Sequence, residues 1–99
     1  MLNPYPNSRN VIPGSVFMTV DFRHPEDGTL SAMDAALQEG VKAITDGIGL
    51  ECEIKQVFYY KPVAFDAECV AAVRRAADHF GYKHRDIVSG AGHDACYLA

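Results

Sequence analysis

The residues in this sequence best suited to chemistry are an arginine ending one alternating stretch and a histidine ending a glycine-rich one. In Ser15 to Arg23, Val16, Met18, Val20 and Phe22 alternate with Phe17, Thr19, Asp21 and Arg23, the period of a strand with one packed face. A turn at Pro13-Gly14 precedes it, and His24-Pro25 follows. A residue ahead of proline does not easily continue a ladder, so the strand is expected to stop at Arg23 with the guanidinium at its rim. A guanidinium fork matches a carboxylate bidentately, and the chemistry Arg23 offers is the holding of an acid group.

The second stretch is Ser89-Gly90-Ala91-Gly92-His93-Asp94-Ala95. Two glycines within three residues let a backbone approach a ligand closely, and a helix starting near Asp94 would aim free N–H groups and a positive dipole end into the turn. His93 beside such donors can polarise a carbonyl, stabilise an oxyanion or shuttle a proton. The same composition also makes an ordinary structural turn.

Other chemistries are poorly served. His24 precedes a proline, His79 and His84 straddle the helix end expected at Gly81, and no histidine pair has the i, i+4 spacing of a helical zinc site. Cys52, Cys69 and Cys96 form no C-x-x-C pair and read as small buried hydrophobes rather than a disulfide framework. There is no nucleophile elbow and no phosphate-binding glycine loop with a lysine.

The elements that must position Arg23 and His93 follow from the patterning. Met1 to Arg9, with Pro4, Pro6, Asn3 and Asn7, reads as an irregular arm. After the first strand, a loop from Pro25 to Gly28 leads to Thr29 as N-cap of a helix from Leu30 to Ile48. Its apolar stripe is Leu30, Met33, Leu37, Val41, Ile44 and Ile48, with Gly47 and Gly49 as stop signals. Glu51 to Tyr60 returns to a strand pattern and ends at Pro62. Asp66 is expected to cap a helix from Ala67 to Phe80, with Gly81 taking the left-handed position after it. A short buried strand from His84 to Val88 and the first turns of a third helix complete the expected order. The class is mixed α/β, with strand, helix and strand forming half of a split βαβ sandwich.

The 99 residues, 48% hydrophobic and 22% charged with net charge -4, bound the chain at one domain or a piece of one. The mildly acidic balance argues against nucleic acid and anionic membrane surfaces. Neither a targeting segment nor a run long enough to cross a bilayer is visible, so a cytoplasmic setting is expected.

Taken in order and spacing, Pro6-Asn7-Ser8-Arg9-Asn10-Val11-Ile12-Pro13-Gly14, Asp21-Phe22-Arg23-His24-Pro25, Phe65-Asp66 and Ser89 to Ala95 resemble the hydantoinase/carbamoylase family of amidohydrolases. That family includes N-carbamoyl-L-amino-acid hydrolases, β-ureidopropionases and allantoate amidohydrolases, within the aminoacylase-like metallopeptidase clan. The resemblance implies a catalytic α/β domain holding two divalent ions (zinc, manganese or cobalt) and a ferredoxin-like lid through which subunits form a homodimer. Residues 1–62 would then be part of the lid, and residues 63–99 a helix-strand-helix piece of the catalytic domain. It further implies that Asn10 and Arg23 bind the substrate carboxylate in the partner subunit's active site, and that Gly92 and His93 meet the scissile carbonyl. The metal-ligand motifs of the family fall outside these residues, so none of the metal is expected on this chain, and the chain alone is expected to be an inactive fragment.

Two other readings compete with that of an enzyme segment. One is a non-catalytic lid or dimerisation module, whose unpaired strand edge invites self-association. The other is a small-ligand sensor that uses Arg23 for a carboxylate.

Overall fold

A computed structural model describes residues 1–99. Its elements in chain order are β1 (Leu2–Tyr5), β2 (Ser15–Met18), α1 (Asp27–Ile48), α2 (Ala67–His79) and a final 3-10 turn (Asp94–Tyr97).

The N-terminal arm is more regular than its prolines predict. Leu2–Tyr5 pairs antiparallel with Ser15–Met18, Leu2 opposite Met18 and Pro4 opposite Val16. Proline is tolerated there because antiparallel pairing alternates. Met1 and Thr19 exchange both of their backbone hydrogen bonds, at 3.2 and 3.0 Å, so two-residue alternation puts Pro4 where no ladder N–H is needed. The strand expected through Arg23 ends at Met18; Thr19 still exchanges bonds with Met1, and residues 20–23 pair with no strand.

Helix α1 begins at Asp27, three residues before the predicted start, and its N-cap is Glu26 rather than Thr29. Thr29 instead donates its hydroxyl to Glu26 Oε2 at 3.0 Å, and the Glu26 N–H is taken by His24 Nδ1 at 3.0 Å. Leu30, Met33, Leu37 and Val41 of the predicted stripe are half-buried, whereas Ile44 and Ile48 are exposed and Asp34 and Thr45 take their place on the covered side. Gly49, at φ 69°, ends the helix in the left-handed conformation that glycine adopts without steric cost.

Residues 51–60 are not a strand, because no second strand lies beside them to supply hydrogen bonds. They run back along α1: Cys52 and Ile54 line a cavity of about 520 Å³ with Val41 and Thr45, and further on the Tyr59 hydroxyl donates to Asp27 Oδ1. Covering that much helix in so few residues requires a nearly extended backbone.

Helix α2 is capped as its sequence predicts, Asp66 accepting the Cys69 N–H at 2.9 Å, with Gly81 at φ 70° beyond its C-terminus. The segment after it is neither a strand nor buried. It is held to α2 by the Arg74 guanidinium, which pairs with both carboxylate oxygens of Asp86.

No residue is buried, so the three cysteines expected in a core are exposed (Cys52, Cys69) or half-exposed (Cys96). The radius of gyration is 20.6 Å, against about 13 Å for a compact domain of this length. The accessible surface is 8936 Å², where a free-standing domain of this mass exposes about 5,500 Å². The elements are formed, but the surfaces that would cover them are not in this chain.

Candidate functional site

Two residues apart on an extended backbone, Asp21 and Arg23 share a face, and the structure joins them. Arg23 donates from Nε at 3.0 Å and from Nη2 at 2.6 Å, both to Oδ2 of Asp21. Nη1 donates to the backbone carbonyl of Gly90 at 2.6 Å. The stretch holding the arginine and the stretch holding the histidine, 67 residues apart in sequence, are thus brought together by one guanidinium. The contact is made within a single chain. Hydrogen bonding to the guanidinium holds the Asp21 carboxyl below its ordinary range and makes Arg23 still harder to deprotonate.

His93 lies three residues after Gly90, in extended conformation at φ -150° and ψ 171°. Its ring packs against Phe65, with centroids 5.6 Å apart and planes tilted by 31°. The helix expected to aim donors into the turn is a four-residue 3-10 turn, Asp94–Tyr97, too short to present an α-helical dipole end. The donor-lined turn expected around His93 is therefore not formed by this chain.

The glycines of this stretch are not there for backbone conformation, since neither adopts positive φ. Nor does crowding within the chain require them: a Cβ on Gly90 would sit in ordinary contact with Arg23 Cδ at 3.9 Å, and one on Gly92 would meet nothing within 4 Å. Asn10 sits in the exposed loop between β1 and β2, and no hydrogen bond brings it to Arg23 or His93. Neither Arg23 nor His93 lines the cavity along α1.

Sequence reasoning missed two contributors. Asp21 was readable as the same-face neighbour of Arg23, whereas the contact of Phe65 with His93 is nonlocal and left no local signal. No group of three His, Cys, Asp or Glu side chains converges on a point that could hold a metal ion. The residues present do not fit the two-ion centre that the resemblance implies, and no chemical step is assigned to a metal held by this chain.

The chain belongs to the peptidase family M20/M25/M40, whose model matches residues 6–99. It is 47% identical over 94 residues to the N-carbamoyl-L-amino-acid amidohydrolase of Rhizobium meliloti, a match covering 95% of this chain and 23% of that protein. It is 32% identical over 98 residues to the allantoate amidohydrolase of Escherichia coli, covering 99% of this chain and 24% of that one. Among solved structures, an amidase of the hydantoinase/carbamoylase family from Burkholderia multivorans superposes with a TM-score of 0.95 at 70% identity, covering all of this chain and 24% of that one. The chain therefore spans about a quarter of the length of the relatives it matches.

Proposed function

We propose that these residues form the acid-recognising segment of an amidohydrolase that cleaves the C–N bond of N-carbamoyl or ureido acids. Arg23 holds the substrate carboxylate with help from Asn10, while His93 and the backbone at Gly92 face the scissile carbonyl. The observation that carries this reading is the bond from Arg23 Nη1 to the Gly90 carbonyl, which sets an acid-binding group beside the turn leading to His93. The open space at Gly92 supports it, since a substrate carbonyl needs backbone without a Cβ in front of it. The names of the Rhizobium and Escherichia relatives supply the substrate class.

In this reading residues 1–62 are lid and residues 63–99 catalytic domain, so the Arg23–Gly90 bond crosses the boundary between them. The divalent ions of such enzymes belong to residues outside this chain, which alone turns nothing over. The test is a hybrid in which residues 1–99 replace the matching quarter of the Burkholderia multivorans amidase. The hybrid is expected to hydrolyse an N-carbamoyl-L-amino acid, and Arg23→Ala to raise KM at least tenfold. An Arg23→Ala hybrid with unchanged KM contradicts the reading.

A second reading, a lid or dimerisation module, is favoured by the exposure of Val16, Met18 and Val20 on one face. It predicts a defined homodimer of the chain and no effect of Arg23 on hydrolysis.

A further inference from the structure

We infer that Asp21 is a positioning residue, which turns the Arg23 guanidinium so that one of its edges is left open for a second carboxylate. The inference rests on the reading of Arg23 as the acid-binding group. A guanidinium has five N–H protons. Asp21 Oδ2 takes the Nε proton and the Nη2 proton on the same edge, at 3.0 and 2.6 Å, and Gly90 O takes one Nη1 proton at 2.6 Å. One proton remains on each terminal nitrogen. Gly90 lies near the Cδ end of the side chain, where its absent Cβ would stand 3.9 Å from Cδ, which favours acceptance by its carbonyl of the Nη1 proton on that side. The two protons left then point together off the far end of the fork, the arrangement that grips a carboxylate bidentately.

No residue of this chain other than Asp21 and Gly90 bonds the guanidinium, whose side chain is 62% exposed. An arginine this exposed would otherwise spread over its rotamers, and ordering it would oppose binding. Asp21 and Gly90 order it beforehand. The negative charge of Asp21 opposes a substrate acid, and the positioning role requires that the gain from orientation outweigh that repulsion.

The experiment is steady-state hydrolysis by the hybrid amidase of an N-carbamoyl-L-amino acid and of its carboxamide analogue. Asp21→Ala is expected to raise KM for the acid about tenfold with kcat within twofold, and to leave KM for the carboxamide unchanged. Asp21→Asn keeps an acceptor oxygen in the same place and is expected to recover most of the loss. Asp86→Ala, which breaks another solvent-exposed Asp–Arg pair away from the site, is expected to change neither constant.

Tighter binding of the acid by both Asp21 variants would show that Asp21 acts as a repelling charge and would overturn the inference. Equal losses on both substrates would show a merely structural role and overturn it too. If Arg23→Ala raises KM and Asp21→Ala does not, the positioning role fails while the reading of Arg23 stands. If neither does, that reading fails and the inference with it. Should the Asp21→Ala hybrid fail to fold, Asp21→Ser, too short to reach the guanidinium edge, takes its place: a KM rise confined to the acid supports positioning, and an unchanged KM overturns it.

Discussion

At the scale of the residue, the side chains that define this molecule are exposed and act through hydrogen bonds rather than burial. Asp66 is the simplest case. The backbone N–H of Cys69 holds its carboxyl below the ordinary Asp value of 3.8. A carboxyl whose folded value is depressed stabilises α2 fully above its unfolded value and loses that contribution as pH falls through the folded one. The helicity of α2, followed by amide shifts in an acid titration, is therefore expected to hold down to about pH 4 and to decline below it. Asp66→Asn, which keeps a capping oxygen but cannot titrate, is expected to flatten that decline.

The Asp66 cap was legible because capping is local, its partner lying three residues away. The Asp21–Arg23 pair was legible in part, since strand alternation puts both on one face, but alternation does not say that they touch. The bond to Gly90 was not legible at all. It spans 67 residues, and no periodicity encodes it.

At the scale of the element, the two helices were readable and the strands only in part, β2 starting at Ser15 as expected but stopping at Met18, and the reason is where each finds its hydrogen bonds. A helix satisfies its backbone internally, so the patterns from Leu30 to Ile48 and from Ala67 to Phe80, with glycine stops at Gly49 and Gly81, match the observed helices to within a few residues. A strand needs a partner. Residues 51–60 carry strand composition and lie along α1 but pair with nothing, whereas Leu2–Tyr5, discounted for its prolines, is paired because β2 is available. The register there spares Pro4, which composition alone does not reveal.

Two predictions belong to this scale. A Cβ on Gly40 would meet nothing within 4 Å, so Gly40→Ala is expected to stabilise α1 by about 0.5–1 kcal/mol, read as increased far-UV circular dichroism. The Tyr59 hydroxyl ties the returning segment to the first turn of α1, and the bond raises the pKa of Tyr59. Tyr59→Phe is expected to loosen residues 51–60 with little effect on α2, visible as faster amide exchange confined to that stretch.

At the scale of the whole molecule, the deciding quantity is the surface left uncovered. The chain exposes 8936 Å², about 3,400 Å² more than a free-standing domain of its mass. A standard protein interface covers about 800 Å² per partner, so pairing with one further copy would leave most of the excess in water. In the Burkholderia multivorans amidase the same elements, superposed at TM-score 0.95, are 24% of a longer chain, and under the proposed function the rest of such a chain is what covers the excess. Alone, the chain is expected to self-associate through Val16, Met18 and Val20, and light scattering across a concentration series should show mass rising without a plateau at two.

The most direct test of the account is complementation. The 99-residue chain and the other three quarters of the Burkholderia multivorans amidase, purified separately, would be assayed for N-carbamoyl-L-amino-acid hydrolysis alone and mixed, with divalent ions supplied. The account predicts no turnover from the chain, none from the remainder, and hydrolysis from the mixture that weakens with Arg23→Ala. Turnover by the chain alone would contradict it.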